Sequence, residues 1–117
     1  MLYYNKYKYN KYHNTKTRTS DGILHDSQKE ARRWMELQLL QKAGLISDLA
    51  RQVKIELIPA QDGERACHYI ADFVYTDLKT GSKVVEDVKS EATRKDKAYI
   101  IKRKLMLYLK GIKISEY

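Results

Sequence analysis

Apolar residues recur along this chain with two different periods, and the changes of period mark its elements. Between Ser27 and Ala43 the period is helical. Ala31, Met35, Leu39 and Ala43 fall every fourth residue, with Trp34, Leu37 and Leu40 beside them. The spacing predicts an amphipathic helix with a wide apolar face. Ser27-Gln28-Lys29-Glu30 reads as a capping box at its start, and Gly44 as a left-handed stop. Ahead of it, Asp21-Gly22 marks a turn and Ile23-Leu24 a short extended piece. Over residues 53–58, VKIELI, the alternation becomes that of a strand and stops at Pro59. Two more strands are predicted over 66–77, ACHYIADFVYTD, and 83–89, KVVEDVK, joined by a hairpin loop at Leu78–Gly81. A second helix is predicted over 96–110, with a stripe of Ala98, Ile101, Leu105, Tyr108 and Leu109 and a stop at Gly111. Residues 112–116, IKISE, close the chain as a strand. The order is helix, three strands, helix, strand. It predicts one α/β domain with a mixed central sheet flanked by helices.

Residues 1–20 follow neither period. Five tyrosines alternate there with lysine and asparagine, and almost nothing aliphatic is present to bury. The expected organisation is a basic arm over 1–20, mobile without a partner, and a domain over 21–117.

Charge adds a partner to this picture. The 117 residues hold 23 lysines and arginines against 15 acids, a net charge of +8. Five of those positive charges, Lys6, Lys8, Lys11, Lys16 and Arg18, lie in the arm, which has no acid. A small chain this basic favours a polyanion, and nucleic acid is the commonest. Arm lysines would meet phosphates and tyrosine rings would stack on unpaired bases. A solvated tail, or a strand that pairs only across a subunit boundary, is the alternative. The second helix adds Lys95, Lys97, Lys102, Arg103, Lys104 and Lys110, among which Lys102 and Arg103 are candidates for gripping a DNA backbone.

Other classes fall away. No apolar run approaches the roughly 18 residues that span a bilayer, so no membrane partner is expected. The first residues lack the apolar stretch of a secretory signal. The single cysteine, Cys67, excludes an internal disulfide framework and points to a reducing cytoplasm. There is no glycine-rich phosphate loop.

Candidate chemistry lies on the hairpin. With a loop of Leu78–Gly81, Asp77 pairs with Ser82 and Asp72 lies across from Asp87. Opposed side chains on one face have Cβ atoms roughly 4.5–5.5 Å apart. Two carboxylates there repel unless a cation or a proton sits between them. A two-residue loop would set Asp72 opposite Lys89 instead, and in both registers Asp72, Asp87 and Lys89 share a face. This is the donor set of a magnesium-type site, with Lys89 placed to orient water or to meet developing negative charge. An ordinary polar sheet face with an Asp–Lys ion pair is the alternative. His68 shares that face as a half-buried strand residue. Glu86 points to the opposite face, toward a helix or an ion pair. Glu56 reads as a solvated charge, Cys67 as a small core residue, and His13 and His25 have no partner at ligand spacing.

These residues carry a resemblance. Asp72, the run Glu86-Asp87-Val88-Lys89, and Glu30 on the first helix together resemble the PD-(D/E)XK, or restriction-endonuclease-like, nuclease superfamily. More narrowly, DGILHDSQKEARRWMELQLLQKAG, YIADFVY and VVEDVKS resemble a family of small uncharacterised bacteriophage and prophage proteins placed in that superfamily. The resemblance spans residues 5–117. It implies a restriction-endonuclease-like core and a Mg²⁺-dependent endodeoxyribonuclease, with Mn²⁺ as a substitute. Asp72 and Asp87 would hold the metal, Lys89 would be the lysine of the motif, and Glu30 would assist the metal besides its place in the capping box. Ala71 stands where the superfamily motif has proline. A phage role on branched recombination or replication intermediates, carried out by a homodimer, is the expected setting. A DNA-binding or host-protein-binding module that keeps the fold without catalysis is the alternative.

Overall fold

The computed structural model describes the backbone of residues 3–9 and residues 15–117 with their side chains. Three short strands open the chain: β1 (Tyr3–Tyr9), β2 (Thr15–Arg18) and β3 (Leu24–His25). They form an antiparallel sheet in the order β1-β2-β3. Helix α1 (Gln28–Lys42) follows, then β4 (Ile46–Ile58), β5 (Cys67–Asp77) and β6 (Lys83–Asp87). A single turn, α2 (Glu91–Arg94), leads into α3 (Lys97–Lys110), and β7 (Ser115–Glu116) ends the chain. The main sheet has the order β4-β5-β6-β7. Its first three strands are antiparallel and β7 runs parallel to β6, so the sheet is mixed.

Each helix is started by a side chain. Ser27 accepts from the Glu30 N–H and Asp96 from the Tyr99 N–H. Gly111 ends α3 at φ +67, a conformation that costs glycine little. The two helices pack in separate clusters. Trp34 and Leu37 of α1 meet Ile46, Phe73 and Tyr75, with the Trp34 and Phe73 rings stacked at 5.8 Å. Tyr99 and Met106 of α3 meet Leu57, Tyr69, Ala71, Val74 and Val85.

Helix α1 buries one edge of its predicted wide face, at Ala31, Trp34 and Leu37, whereas α3 is rotated from the stripe predicted above. On α1 the buried positions are Glu30, Ala31, Trp34 and Leu37, whereas Leu39 is 67% exposed. On α3 they are Tyr99 and Met106, while Ile101 and Tyr108 face outward at 58% and 86% exposure. Bulky rings decide these faces. Trp34 and Tyr99 are both buried, and a ring of that size gains much from burial.

The arm expectation is corrected for residues 15–20. Thr17 and Thr19 are almost fully buried, and β2 packs with β3 and α1. Threonine needs no aliphatic length to do this, because its methyl packs and its hydroxyl finds local acceptors. Thr19 Oγ bonds Asp21, and Thr17 Oγ donates to the Thr15 carbonyl. The boundary between arm and domain therefore does not fall at residue 20. Lys16 pairs with Asp26 at 3.7 Å, and Arg18 donates to the Gly22 carbonyl at 2.6 Å. Lys11 and His13 lie outside the described residues.

Candidate active site

The hairpin adopts the four-residue loop. Asp77 N–H donates to the Ser82 carbonyl at 2.9 Å, and the pairs run Thr76–Lys83, Tyr75–Val84, Val74–Val85 and Phe73–Glu86. One step further the ladder opens, and two carboxylates take its place. Asp72 N–H donates to Asp87 Oδ1 at 3.2 Å, and Val88 N–H donates to Asp72 Oδ2 at 2.8 Å. Asp72 and Asp87 thus meet across the strands.

The sheet changes face at this point. Strict alternation would put Ala71 with Phe73, but Ala71 packs with Val74 in the α3 cluster while Phe73 packs under α1. The switch falls at Asp72. Across β4, Gln52 has φ +52, a left-handed conformation for a non-glycine residue. Its neighbours Arg51 and Val53 pair with Phe73 and Ala71, which sets Gln52 directly opposite Asp72.

Lys89 completes the centre. Its Nζ lies 3.2 Å from Asp87 Oδ2 and 4.0 Å from the centre of the Tyr99 ring. Two backbone bonds to Tyr117 hold this segment: Tyr117 N–H donates to the Asp87 carbonyl at 2.8 Å, and Lys89 N–H to the Tyr117 carbonyl at 3.0 Å. An open cleft of about 260 Å³ is lined by Tyr69, Asp72, Asp87, Lys89, Tyr99 and Lys102.

The electrostatics of the pair are unfavourable as they stand. Burial pushes the Asp72 carboxyl up to about 9, and the charges of Asp87 and Glu30 add to the effect. Asp87 is 2% exposed. Burial and the nearby Asp87 charge also raise Tyr69 far above the usual phenol range. Tyr69 Oη lies near Asp87, whose carboxylate favours the protonated phenol.

Glu30 enters from α1 at 4% exposure. Ser27 caps its N–H at 3.1 Å, but the reciprocal half of the capping box is replaced. The Glu30 carboxylate accepts instead from Gln52 Nε2 at 3.2 Å, and the same nitrogen lies 3.4 Å from Asp72 Oδ1. Gln52 therefore links Glu30 to the aspartates. Sequence reasoning missed it because alternation in β4 is legible only from residue 53, and the positive φ at Asp48 and Gln52 breaks the pattern before that.

Of the remaining candidates, Lys102 lines the cleft. Arg103 is drawn to Glu116 at 3.6 Å. Lys6 and Lys8 lie on β1. His68 is half-buried and pairs across from exposed Glu56. Glu86 does face the helix, where Arg33 holds it with two bonds of 2.7 and 2.8 Å. His25, which has no partner at ligand spacing in the sequence, is buried with Nε2 3.3 Å from Thr19 Oγ and Nδ1 3.8 Å from Glu30.

The donor set fits a hard cation. The oxygens are carboxylates, the pair lacks enough positive charge, and the cleft is open. Among the described residues no three His, Cys, Asp or Glu side chains converge into a metal cage. Magnesium needs none, since it takes one or two carboxylates and fills its shell with waters and phosphate oxygens.

A family model covers residues 8–114, and it is described as Protein of unknown function (DUF1064). The chain belongs to that family. No curated protein and no solved structure matches it. The match includes every residue of the cleft and all of α1, so Glu30, Gln52, Asp72, Asp87 and Lys89 lie within the DUF1064 region. Among the described residues no helix is long and apolar enough to cross a membrane.

Proposed function

We propose that this protein is a divalent-cation-dependent endonuclease of the restriction-endonuclease-like type, hydrolysing phosphodiester bonds in DNA. The observation that carries the reading is the crossing of Asp72 and Asp87 where the β5–β6 ladder opens, with Lys89 Nζ 3.2 Å from Asp87. A buried acid pair beside one lysine is a poor stabilising device and a good cation seat. The element order α1, β4–β6, α3, β7 supports the same reading, since it is the order of that nuclease core.

Asp72 and Asp87 would hold Mg²⁺ or Mn²⁺, with Glu30 approaching from the helix. When bound, the cation supplies charge neutralisation at the phosphate and a lowered pKa for an attacking water. The chain supplies the positioning. Asp87 is fixed by the Lys89 ammonium and by the β6–β7 backbone bonds. Lys89 rests against the Tyr99 ring, which keeps its charge at the cleft and directed at phosphate oxygens. Lys102 on the rim meets the DNA backbone.

The test is cleavage of linear, flapped and four-way-branched DNA with Mg²⁺ or Mn²⁺, using Asp87→Ala as control. Four-way junctions are included because paired cuts there call for a homodimer, and branched phage recombination intermediates are the substrates we favour. Cleavage that needs the cation and is lost in Asp87→Ala supports the reading. DNA binding without cation-dependent cleavage on any substrate would favour a non-catalytic DNA-binding module instead.

A further inference from the structure

Among the described residues two that are not glycine carry positive φ, Asp48 at 55 and Gln52 at 52. Such a conformation is strained for a residue with a side chain and persists only where its surroundings demand it. The two cases differ. Asp48 is exposed, at a shift of register in β4, and its carboxylate meets the Ser47 hydroxyl at 3.3 Å. Gln52 lies in unbroken register opposite Asp72, and its strain aims an amide between two carboxylates from different elements.

Glu30 has little else to hold it. His25 Nδ1 is 3.8 Å away, beyond hydrogen-bond distance, and is itself without a bonded partner among the described residues. Two carboxylates left to themselves separate. One amide nitrogen donating to Glu30 and reaching Asp72 opposes that separation, because its hydrogens carry partial positive charge.

We propose that Gln52 is a positioning residue: its side-chain amide keeps the Glu30 carboxylate beside Asp72, so that the helix acid is in place when a divalent cation binds. This rests on the reading of Asp72 and Asp87 as a cation seat. It assigns the strained bend of β4 a purpose in assembling that seat.

The experiment measures Mn²⁺ affinity by calorimetry, without DNA, in the wild type, Gln52→Gly, Glu30→Gln and the double variant. Thermal unfolding of the cation-free proteins is followed alongside. Glycine adopts φ +52 without strain, so Gln52→Gly should keep or raise the melting temperature. Its Mn²⁺ affinity should fall about 10- to 100-fold, the usual loss when a residue orienting a metal ligand is removed. Glu30→Gln should lose a similar factor, and the double variant no more than the larger single loss. If glycine loosens the ribbon and lowers the melting temperature, Gln52→Asn carries the test. Asparagine also tolerates positive φ, and its amide is one methylene too short to bridge. The proposal is overturned if the Gln52 variants bind Mn²⁺ like the wild type, or if the two losses multiply in the double variant. Wild type and Asp87→Ala binding Mn²⁺ equally weakly would instead sink the cation seat, and this inference with it.

Discussion

Glu86 and Asp87 are consecutive on β6, face opposite sides of the sheet, and are 1% and 2% exposed. Their surroundings could hardly differ more. Glu86 receives Arg33 Nε and Nη2 at 2.7 and 2.8 Å and the Tyr75 hydroxyl at 2.8 Å. Its charge is met in full, and Arg33 is held charged in return. Asp87 has one ammonium at 3.2 Å and faces a second carboxylate, with a third nearby on α1. Burial therefore does not separate a structural acid from a functional one. What separates them is whether the protein itself completes the charge. Glu86 is finished, whereas Asp87 and Asp72 together still lack positive charge, and the cleft is where it can arrive.

The largest expected effect breaks the unfinished side. Asp87→Asn removes a cation ligand with little change of shape. Cleavage should fall about a thousandfold or more, equivalent to about 4 kcal/mol of barrier. The cation-free melting temperature should stay level or rise, because Asp72 can then ionise without the Asp87 charge beside it. A fall in melting temperature with activity retained would show Asp87 to be structural, as Glu86 is.

The finished side should behave in reverse. Arg33→Leu leaves Glu86 buried without its countercharge, which costs about 3 kcal/mol and on the order of 10 °C in melting temperature. Replacing both partners, Arg33→Met with Glu86→Leu, should recover most of that loss. Thermal unfolding reads both variants. A loss equal in the single and double variants would mean the ion pair is not what holds α1 to β6.

Lys89→Met tests the ammonium that contacts Asp87. Turnover should fall about 100-fold, less than for Asp87→Asn, because the lysine assists a charge that the metal carries in the main. Single-turnover cleavage at saturating Mg²⁺ checks this. An undiminished rate would leave Lys89 as no more than the ion-pair partner of Asp87.

How far this contrast was legible in the sequence depends on period. The hairpin was legible except for its loop: a four-residue and a two-residue turn were both open, either one put Asp72, Asp87 and Lys89 on one face, and the observed pairing selects the four-residue loop. Glu86 and Asp87 were separable by parity alone. From α1 onward the order of the main elements and the helix ends were also legible, since caps and glycines are local signals, but the strands β1 and β2 and the turn α2 were not. The face of α1 was legible in part, through Ala31, Trp34 and Leu37; that of α3 was not, because its stripe of medium apolar residues loses to Tyr99 and Met106, and only packing reveals that. The first half of β4 was illegible for another reason: residues at positive φ do not alternate, and Gln52 has no motif to announce it. Residues 15–20 misled through composition, since buried threonines look like loop residues until a sheet satisfies their hydroxyls.

The smallest expected effect sharpens the contrast by its sign with pH. Asp21 resembles Glu86 in being served by donors. Burial nudges its carboxyl up, but bonds from Thr19, from Trp34 Nε1 at 2.8 Å and from the Ile23 N–H outweigh this and bring it down to about 2. Its folded pKa is below its unfolded value of 3.8. The stability it contributes is therefore present above that value and lost as pH falls toward about 2. Asp72 has the opposite sign, its folded pKa lying near 9. The unfolded chain releases that proton first, so cation-free stability should decline as pH rises from about 4 toward about 9. Asp21→Asn should flatten the acid limb alone, by a modest amount because the side chain is exposed, and Asp72→Asn the neutral-to-alkaline limb alone. Saturating Mn²⁺ should flatten the second limb in the wild type as well, because a bound cation meets the charge that the fold leaves open. Denaturant melts across this pH range measure all three, and an alkaline limb that persists in Asp72→Asn would place the strained charge somewhere other than the acid pair.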